Sequence, residues 1–386
     1  MKNRIDNIIH ALKKHYGFDI IEKISPENAG RFSDVFRCKS TKKKISHVIK
    51  VQKKDNHPDK DYSLYKQFKD EIKLFDELKG GHPNVIKYYS NFDLKLSKPH
   101  NEQVCCIELE EMDTDLYYII ENHFKEGMPI NIVKNITKQL LSGLAFIHEN
   151  NIIHTDLKPE NILIKKNNEN KDNPSFQVCI SDLGNGCTIE EHVTSNVGTT
   201  EYRAPENIFN SPYNEKMDIW ALGCIVFELL TGDCLFDPHS YFEDDDEEEN
   251  DSDESDSGNG SDSDGEDEDG SDSESSEETD INERFMIDHI QLYLMHSTLG
   301  KIPKYITRNG KYFKDFYMPQ GNLRKLDIPI EKEKMSISEI LVTEYNFKKS
   351  DANDIQEFLL PMFEYDKEKR VSASDHLKHD WLEISN

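Results

Sequence analysis

The sequence predicts an α+β chain of two lobes, a small β-rich lobe followed by a larger helical one. Short β-prone runs dominate up to Met112, and long apolar helical patterns dominate from Asp113 onward. One acidic, low-complexity stretch interrupts the helical part without ending it, because core-type sequence resumes at Ile281. Two lobes of this kind leave a cleft between them, a default place for a ligand.

The elements follow in order. In residues 1–19, Ile5, Ile8, Ile9 and Leu12 fall at helical spacing and predict a helical extension with one packing face. Residues 20–112 form the small lobe, with strands over 20–24, 35–38, 47–51 and 104–109. Leu64, Phe68, Ile72 and Phe75 give its one helix a period near 3.6. Residues 113–386 form the large lobe, with long core helices over 132–149 and 217–230. Within it, residues 243–280 hold 22 acidic residues and no Lys or Arg. Such a stretch cannot bury enough apolar area to offset its ordering entropy, so it is expected to be disordered. Phe285, Ile287, Ile290 and Leu294 then predict a helix.

This segment also accounts for the bulk numbers. Mean hydropathy is −0.76 and the formal charge is −28, which would be extreme for a whole domain. Removing the 22 acids from −28 leaves −6, an ordinary value. The seven cysteines form no C-x-x-C pair, which predicts reduced thiols rather than a disulfide or zinc framework. No apolar run approaches the roughly 20 residues of a membrane span, and the N-terminus lacks a signal-peptide core. A cytoplasmic or nuclear protein is expected. Abundant Asn, Lys and Ile suggest an AT-rich genome, as in a protist or a large virus, in which case the compartment is the host's.

The chemistry is concentrated in three strings. They are Ile153-His154-Thr155-Asp156-Leu157-Lys158-Pro159-Glu160-Asn161, then Ser181-Asp182-Leu183-Gly184, then Tyr202-Arg203-Ala204-Pro205-Glu206. In this order and spacing they resemble the catalytic loop, metal-binding loop and activation-segment end of eukaryotic protein kinases. The resemblance runs from about residue 20 to 381 outside the acidic insert, and implies the bilobal protein kinase fold. It implies ATP as phosphoryl donor and Mg²⁺ as cofactor. Phosphoryl transfer needs mostly positioning and charge neutralisation. Asp156 is expected to accept the substrate hydroxyl proton, and Lys158 to neutralise the transferring group. Asn161 and Asp182 would offer Mg²⁺ the oxygen ligands it prefers. Gly184 is expected to let the loop turn after Asp182.

On the nucleotide side, Lys50 in Val48-Ile49-Lys50-Val51 matches the strand lysine that contacts phosphates, and Glu71 matches its helix partner. The phosphate loop departs from the family: Asn28-Ala29-Gly30-Arg31-Phe32-Ser33 keeps only the middle glycine. By resemblance, Asn28, Gly30, Val35, Val48 and Leu163 surround the nucleotide, and Leu109 backs the adenine. The Glu110 and Met112 backbones would bond adenine, and Asp115 the ribose. Asp218 is expected to brace the catalytic loop, and Glu206 to pair with Arg370. Thr199 is expected beside Asp156 and Lys158, an arrangement suited to Ser/Thr specificity.

Further strings resemble the SR-protein kinases, a CMGC-type family that phosphorylates Arg-Ser-rich splicing factors. They include Asp182-Leu183-Gly184-Asn185-Gly186-Cys187 and Thr231-Gly232-Asp233-Cys234-Leu235-Phe236-Asp237-Pro238-His239-Ser240. Phe358-Leu359-Leu360-Pro361-Met362 belongs with them. The resemblance implies a basic, Arg-Ser-rich protein substrate, with Asp233 and Asp288 as acids of a docking groove and Met295 where a further acid is expected. A monomer without direct nucleic-acid or membrane contact is expected. Thr155 stands where most kinases have an arginine that grips an activation-loop phosphate, so activity is expected without phosphorylation at Thr194 or Ser195. Two other functions compete: a Ser/Thr kinase of another subgroup, and a pseudokinase scaffold whose acidic arm binds basic partners. The retained Lys50, Glu71, Asp156, Lys158, Asn161 and Asp182 argue against the scaffold.

Overall fold

Alternation of inward and outward residues along the first strands organises the small lobe. The computed structural model describes residues 2–25, 32–41, 45–54, 64–97, 102–167, 175–190, 197–242, 272–325 and 334–383, without side chains at 2–3, 167, 175 and 272–283. Strands β1 (Phe18–Lys23), β2 (Ser33–Ser40), β3 (Ser46–Gln52), β4 (Tyr88–Lys95) and β5 (Gln103–Glu110) form an antiparallel sheet in the order β1-β2-β3-β5-β4. Period-2 alternation gives the sheet two buried faces. Phe36, Ile49, Val51, Val104 and Cys106 meet Ile8 and Leu12, which belong to helix α1 (Lys2–Ala11) and the π-turn after it. On the other face Cys105, Ile107 and Leu109 meet Phe68, Ile72 and Phe75 of helix α2 (Leu64–Glu77). The register Val35↔Lys50↔Ile107 places Lys50 on this second face.

Helix α1 also ties the sheet together electrostatically. Arg4, 9% exposed, donates to the Gln52 carbonyl at 3.0 Å and to Glu102 at 2.7 Å. It also lies 3.6 Å from Asp34, which in turn pairs with Lys23 at 2.8 Å.

The large lobe begins with β6 (Thr114–Asp115), α3 (Leu116–His123) and α4 (Ile130–Glu149). Four short strands follow: β7 (Ile152–Ile153), β8 (Ile162–Asn167), β9 (Ser175–Ile180) and β10 (Cys187–Thr188). They form the sheets β6-β8-β9 and β10-β7. The catalytic string therefore lies between β7 and β8, and the metal string between β9 and β10. After the short α5 (Pro205–Ile208) comes α6 (Met217–Thr231), every residue of which is buried. A helix buried all round belongs in a core. Gly232 ends it at φ 90, where a Cβ would lie 1.9 Å from the Lys125 carbonyl oxygen. The rest is α7 (Asp272–Leu299), α8 (Lys304–Thr307), α9 (Phe313–Phe316), α10 (Ile337–Thr343), α11 (Lys349–Leu359) and α12 (Ala373–His376).

Helix α7 corrects one expectation. It starts at Asp272, inside the 243–280 stretch expected to be disordered. Its later turns are anchored by buried Ile290, Leu292, Leu294 and Met295. Adding residues to an existing helix is far easier than nucleating one. Acidic residues are also favourable at a helix N-terminus. The remainder of the insert, 243–271, lies outside the described residues.

Candidate active site

Lys50 joins the two lobes. Its Nζ donates to Glu71 Oε1 and Oε2 at 2.8 and 2.9 Å, and to Asp182 Oδ1 at 2.8 Å. Burial works against the charge on Lys50, but Asp182 and Glu71 outweigh it and hold its pKa above the usual lysine value. Lys50 in turn holds the Asp182 carboxyl below the usual range. The turn after β9 differs from expectation. Asp182 itself takes the left-handed conformation, φ 61, and Gly184 does not. Gly184 supplies space instead, since a Cβ there would lie 3.1 Å from Asp182 Oδ1.

The catalytic loop hangs from α6. Asp218 accepts the backbone N–H groups of His154 and Thr155 at 2.9 Å each, and its Oδ2 lies 2.9 Å from the His148 ring. Thr155 sits at φ 68, an unfavourable region for a β-branched residue. Its N–H bond to Asp218 and a 2.7 Å bond from its hydroxyl to the Asn185 carbonyl hold it there. The His154 ring lies 2.8 Å from the Ser181 carbonyl, a further tie between the catalytic-string and metal-string loops.

Asp156 is bonded on both oxygens. Oδ1 accepts the Thr199 hydroxyl at 2.8 Å and the Thr199 N–H at 3.1 Å. Oδ2 accepts Asn185 Nδ2 at 3.2 Å and lies 3.8 Å from Lys158 Nζ. Lys158 donates to the Thr199 hydroxyl at 3.0 Å. Asn161 donates its Nδ2 to the Asp156 carbonyl at 2.8 Å, which leaves its side-chain oxygen as the accepting end. Lys50, Glu71, Asp156, Lys158, Asn161 and Asp182 all line one cavity of about 260 Å³. Asn185 lines it too, and was quoted in the sequence only as part of a family string. A polar side chain three residues past Asp182 was the signal available.

The adenine-side residues are arranged as follows. Val35 and Val48 are half-buried on the cleft face of the sheet, and Leu109 opposes Val48. Leu163 is half-buried on β8, paired with Asp115. The Glu110 N–H is already given to the Lys87 carbonyl at 2.9 Å, so adenine could use only the Glu110 carbonyl. Met112 is 6% exposed. Asp115 caps α3, accepting the Tyr118 N–H on Oδ1 at 2.7 Å, so only its other oxygen is free of that bond. Asn28 and Gly30 lie outside the described residues, as do Thr194 and Ser195.

The donor set suits Mg²⁺. Asn161 and Asp182 present hard oxygens at the cavity wall, and among the described residues no cluster of three His, Cys, Asp or Glu could hold a metal alone. Mg²⁺ is commonly held by one or two carboxylates together with nucleotide phosphates.

One docking-groove expectation changes, that for Asp288. Asp288 is 7% exposed and bonds Arg203 at 2.5 Å, so its charge is already neutralised. Met295 is fully buried in the core, so its side chain lines no groove. Asp233 is exposed, and its Oδ2 accepts the Tyr345 hydroxyl at 2.8 Å.

Comparison with known proteins agrees with this geometry. The protein kinase domain family matches residues 28–382. The serine/threonine-protein kinase SRPK of Physarum polycephalum is 29% identical over 369 residues, covering 81% of this chain and 75% of the relative. SKY1 of Saccharomyces cerevisiae is 32% identical over 280 residues, covering 70% of this chain and 29% of the relative. SRSF protein kinase 3 of Mus musculus is 31% identical over 249 residues, covering 64% and 34%. The chain thus spans three quarters of the first relative and about a third or less of the other two. Among the described residues no helix is long and apolar enough to cross a membrane. The chain belongs to the protein kinase domain family and is similar to serine/threonine kinases of the SRPK kind.

Proposed function

We propose that this chain transfers the γ-phosphoryl group of ATP to serine or threonine hydroxyls of basic, Arg-Ser-rich proteins. The carrying observation is the convergence of Lys50, Glu71, Asp156, Lys158, Asn161 and Asp182 on one cavity. Glu71 fixes Lys50, which is aimed at the α- and β-phosphates. Asn161 and Asp182 would hold Mg²⁺, which when bound neutralises phosphate charge. Asp156 orients the incoming hydroxyl and takes its proton, and Lys158 offsets the charge that develops on the moving phosphoryl group. Thr199, bonded to both Asp156 and Lys158, keeps these two side chains in register.

Basic substrates fit the exposed Asp233 and half-buried Asp237, which line a surface pocket of about 250 Å³ with Tyr241 and Leu294. The relatives named SRSF protein kinase 3 support the Arg-Ser preference. The neutralised Asp288 and buried Met295 favour a second reading, a Ser/Thr kinase with a broader basic preference. Transfer from γ-labelled ATP to Arg-Ser, other basic and acidic peptides in parallel separates the two. Highest kcat/KM on the Arg-Ser peptide supports the first, and equal use of all basic peptides supports the second. Transfer to the acidic peptide alone would contradict both.

A further inference from the structure

The segment after α7 carries a charge opposite to that of the chain as a whole. Residues 301–325 hold seven cations, Lys301, Lys304, Arg308, Lys311, Lys314, Arg324 and Lys325, against the single acid Asp315. All seven are exposed, and among the described residues none of them forms an ion pair. Their hydrogen bonds go to neutral groups. Lys301 donates to the Asn322 side-chain oxygen at 3.4 Å, and Arg308 to the Pro319 carbonyl at 3.4 Å. Arg324 donates to the Lys314 carbonyl at 3.0 Å. The turn at 318–322 is closed by Met318 N–H to the Asn322 carbonyl and Gly321 N–H to the Met318 carbonyl, both at 2.8 Å. Gly321 takes φ 84, and a Cβ there would strike the Lys304 alkyl chain at 2.6 Å. Lys301, Lys304 and Arg308 thus converge on one turn, held in place without being neutralised. The field is felt nearby: burial, then the charges of Lys301 and Lys334, push the His296 imidazole down to about 4.

Exposed cations of this density attract an anionic occupant, and a chain of formal charge −28 contains one of opposite sign. Its 22 acids at 243–280 begin just after Tyr241 and Phe242. Tyr241 lines the same pocket as Leu294 of α7. Leu294 is followed within α7 by Leu299, a rise of about 8 Å at 1.5 Å per residue, and Lys301 comes directly after. Tyr241, two residues before the acidic segment begins, therefore lies near the end of α7 from which the cations start. Two sites on one chain meet at an effective concentration of up to order millimolar, set by the length between them. Even weak charge attraction is then enough for contact at low salt.

We propose that residues 301–325 form a docking face for the chain's own acidic segment 243–271. Docked there, the segment screens this cationic face and is less available to basic proteins. The inference does not depend on the substrate class.

Zero-length carbodiimide cross-linking of the full chain, read by mass spectrometry, tests it. At low salt, Asp and Glu of 243–271 should cross-link preferentially to Lys301, Lys304, Lys311 and Lys314. The yield should fall several-fold at about 1 M salt, where the Debye length is about 3 Å. In the K301Q/K304Q/R308Q chain, the remaining cross-links to Lys311 and Lys314 should also fall several-fold, with the melting temperature unchanged as the control for folding. Cross-links spread over lysines of both lobes, or yields unmoved by salt, would overturn the proposal. So would links found mainly between isotopically labelled and unlabelled copies, which would make the occupant a second chain. As an independent measurement, the full chain should bind labelled polyglutamate about tenfold more weakly than the chain lacking 243–271. Equal binding would also overturn it.

Discussion

Lys50–Glu71 and Arg370–Glu206 are both buried cation–carboxylate pairs that bridge distant parts of the sequence, and they differ in what surrounds them. Lys50 is 13% exposed and shares its ammonium between Glu71 and the 45% exposed Asp182, on the wall of a cavity. Arg370 is 0% and Glu206 4% exposed. The Arg370 guanidinium gives two bonds to Glu206, at 2.6 and 2.9 Å, and others to the Glu364 and Lys216 carbonyls. It also lies 5.2 Å from the Trp220 ring. A planar fork bonded through all three of its nitrogens, with no open side, can only hold structure together. A compact ammonium with an open side can turn toward a phosphate. The same pairing of residue types therefore gives a brace in one place and a candidate phosphate-binding group in the other, and openness makes the difference.

The comparison breaks first at the open side. Asp156→Ala should lower kcat by about 10²–10⁴, the range for a positioned general base. Its denaturation midpoint should stay near that of the unaltered chain, because Asp156 faces the cavity. A large loss of stability with unchanged kcat would make Asp156 a structural residue.

The closed side should respond in the opposite way. Arg370→Ala leaves Glu206 buried and unpaired, which typically costs about 3–5 kcal/mol. Urea denaturation measures this. A loss below about 1 kcal/mol would show that water reaches Glu206.

A third site sharpens the contrast, because Glu228 is buried without a cation. Burial first, then the charges of Glu160, Glu201 and Glu121, push its carboxyl up to about 7, although the Tyr202 hydroxyl donates to it at 2.8 Å. The folded chain therefore holds a proton that the unfolded chain has released between about pH 4.5 and 7. Stability from this group is fully present below that window and is lost as pH rises through it, by an amount on the order of 3 kcal/mol. Glu228→Gln keeps an acceptor for Tyr202 and should flatten the slope. An unchanged pH profile of unfolding would refute the assignment.

The fold and the pairs around the cavity were legible because their residue types sit at fixed spacings. Lys50, Glu71, Asp156, Asn161 and Asp182 are named by strings whose order survives folding. Strand β4 was missed because its residues alternate mostly between half-buried and exposed, with only Leu94 fully buried. The start of α7 was missed because composition speaks for disorder while an anchored helix propagates into it. Asp288 looked like a free acid because nothing in the sequence tells that Arg203 folds against it. Thr155 and Asp182 at positive φ were equally hidden, since hydrogen bonds from distant residues impose those conformations.

We expect the cavity shared by Lys50, Asp156 and Asp182 to perform the transfer. Its most direct test is radiolabel transfer from γ-labelled ATP to an Arg-Ser peptide, comparing the unaltered chain with Asp182→Ala at matched melting temperature. The unaltered chain should place label on serine, and the variant should lose at least about 10²-fold, as expected when the site's charge neutralisation is removed. Equal labelling by the two chains would contradict it.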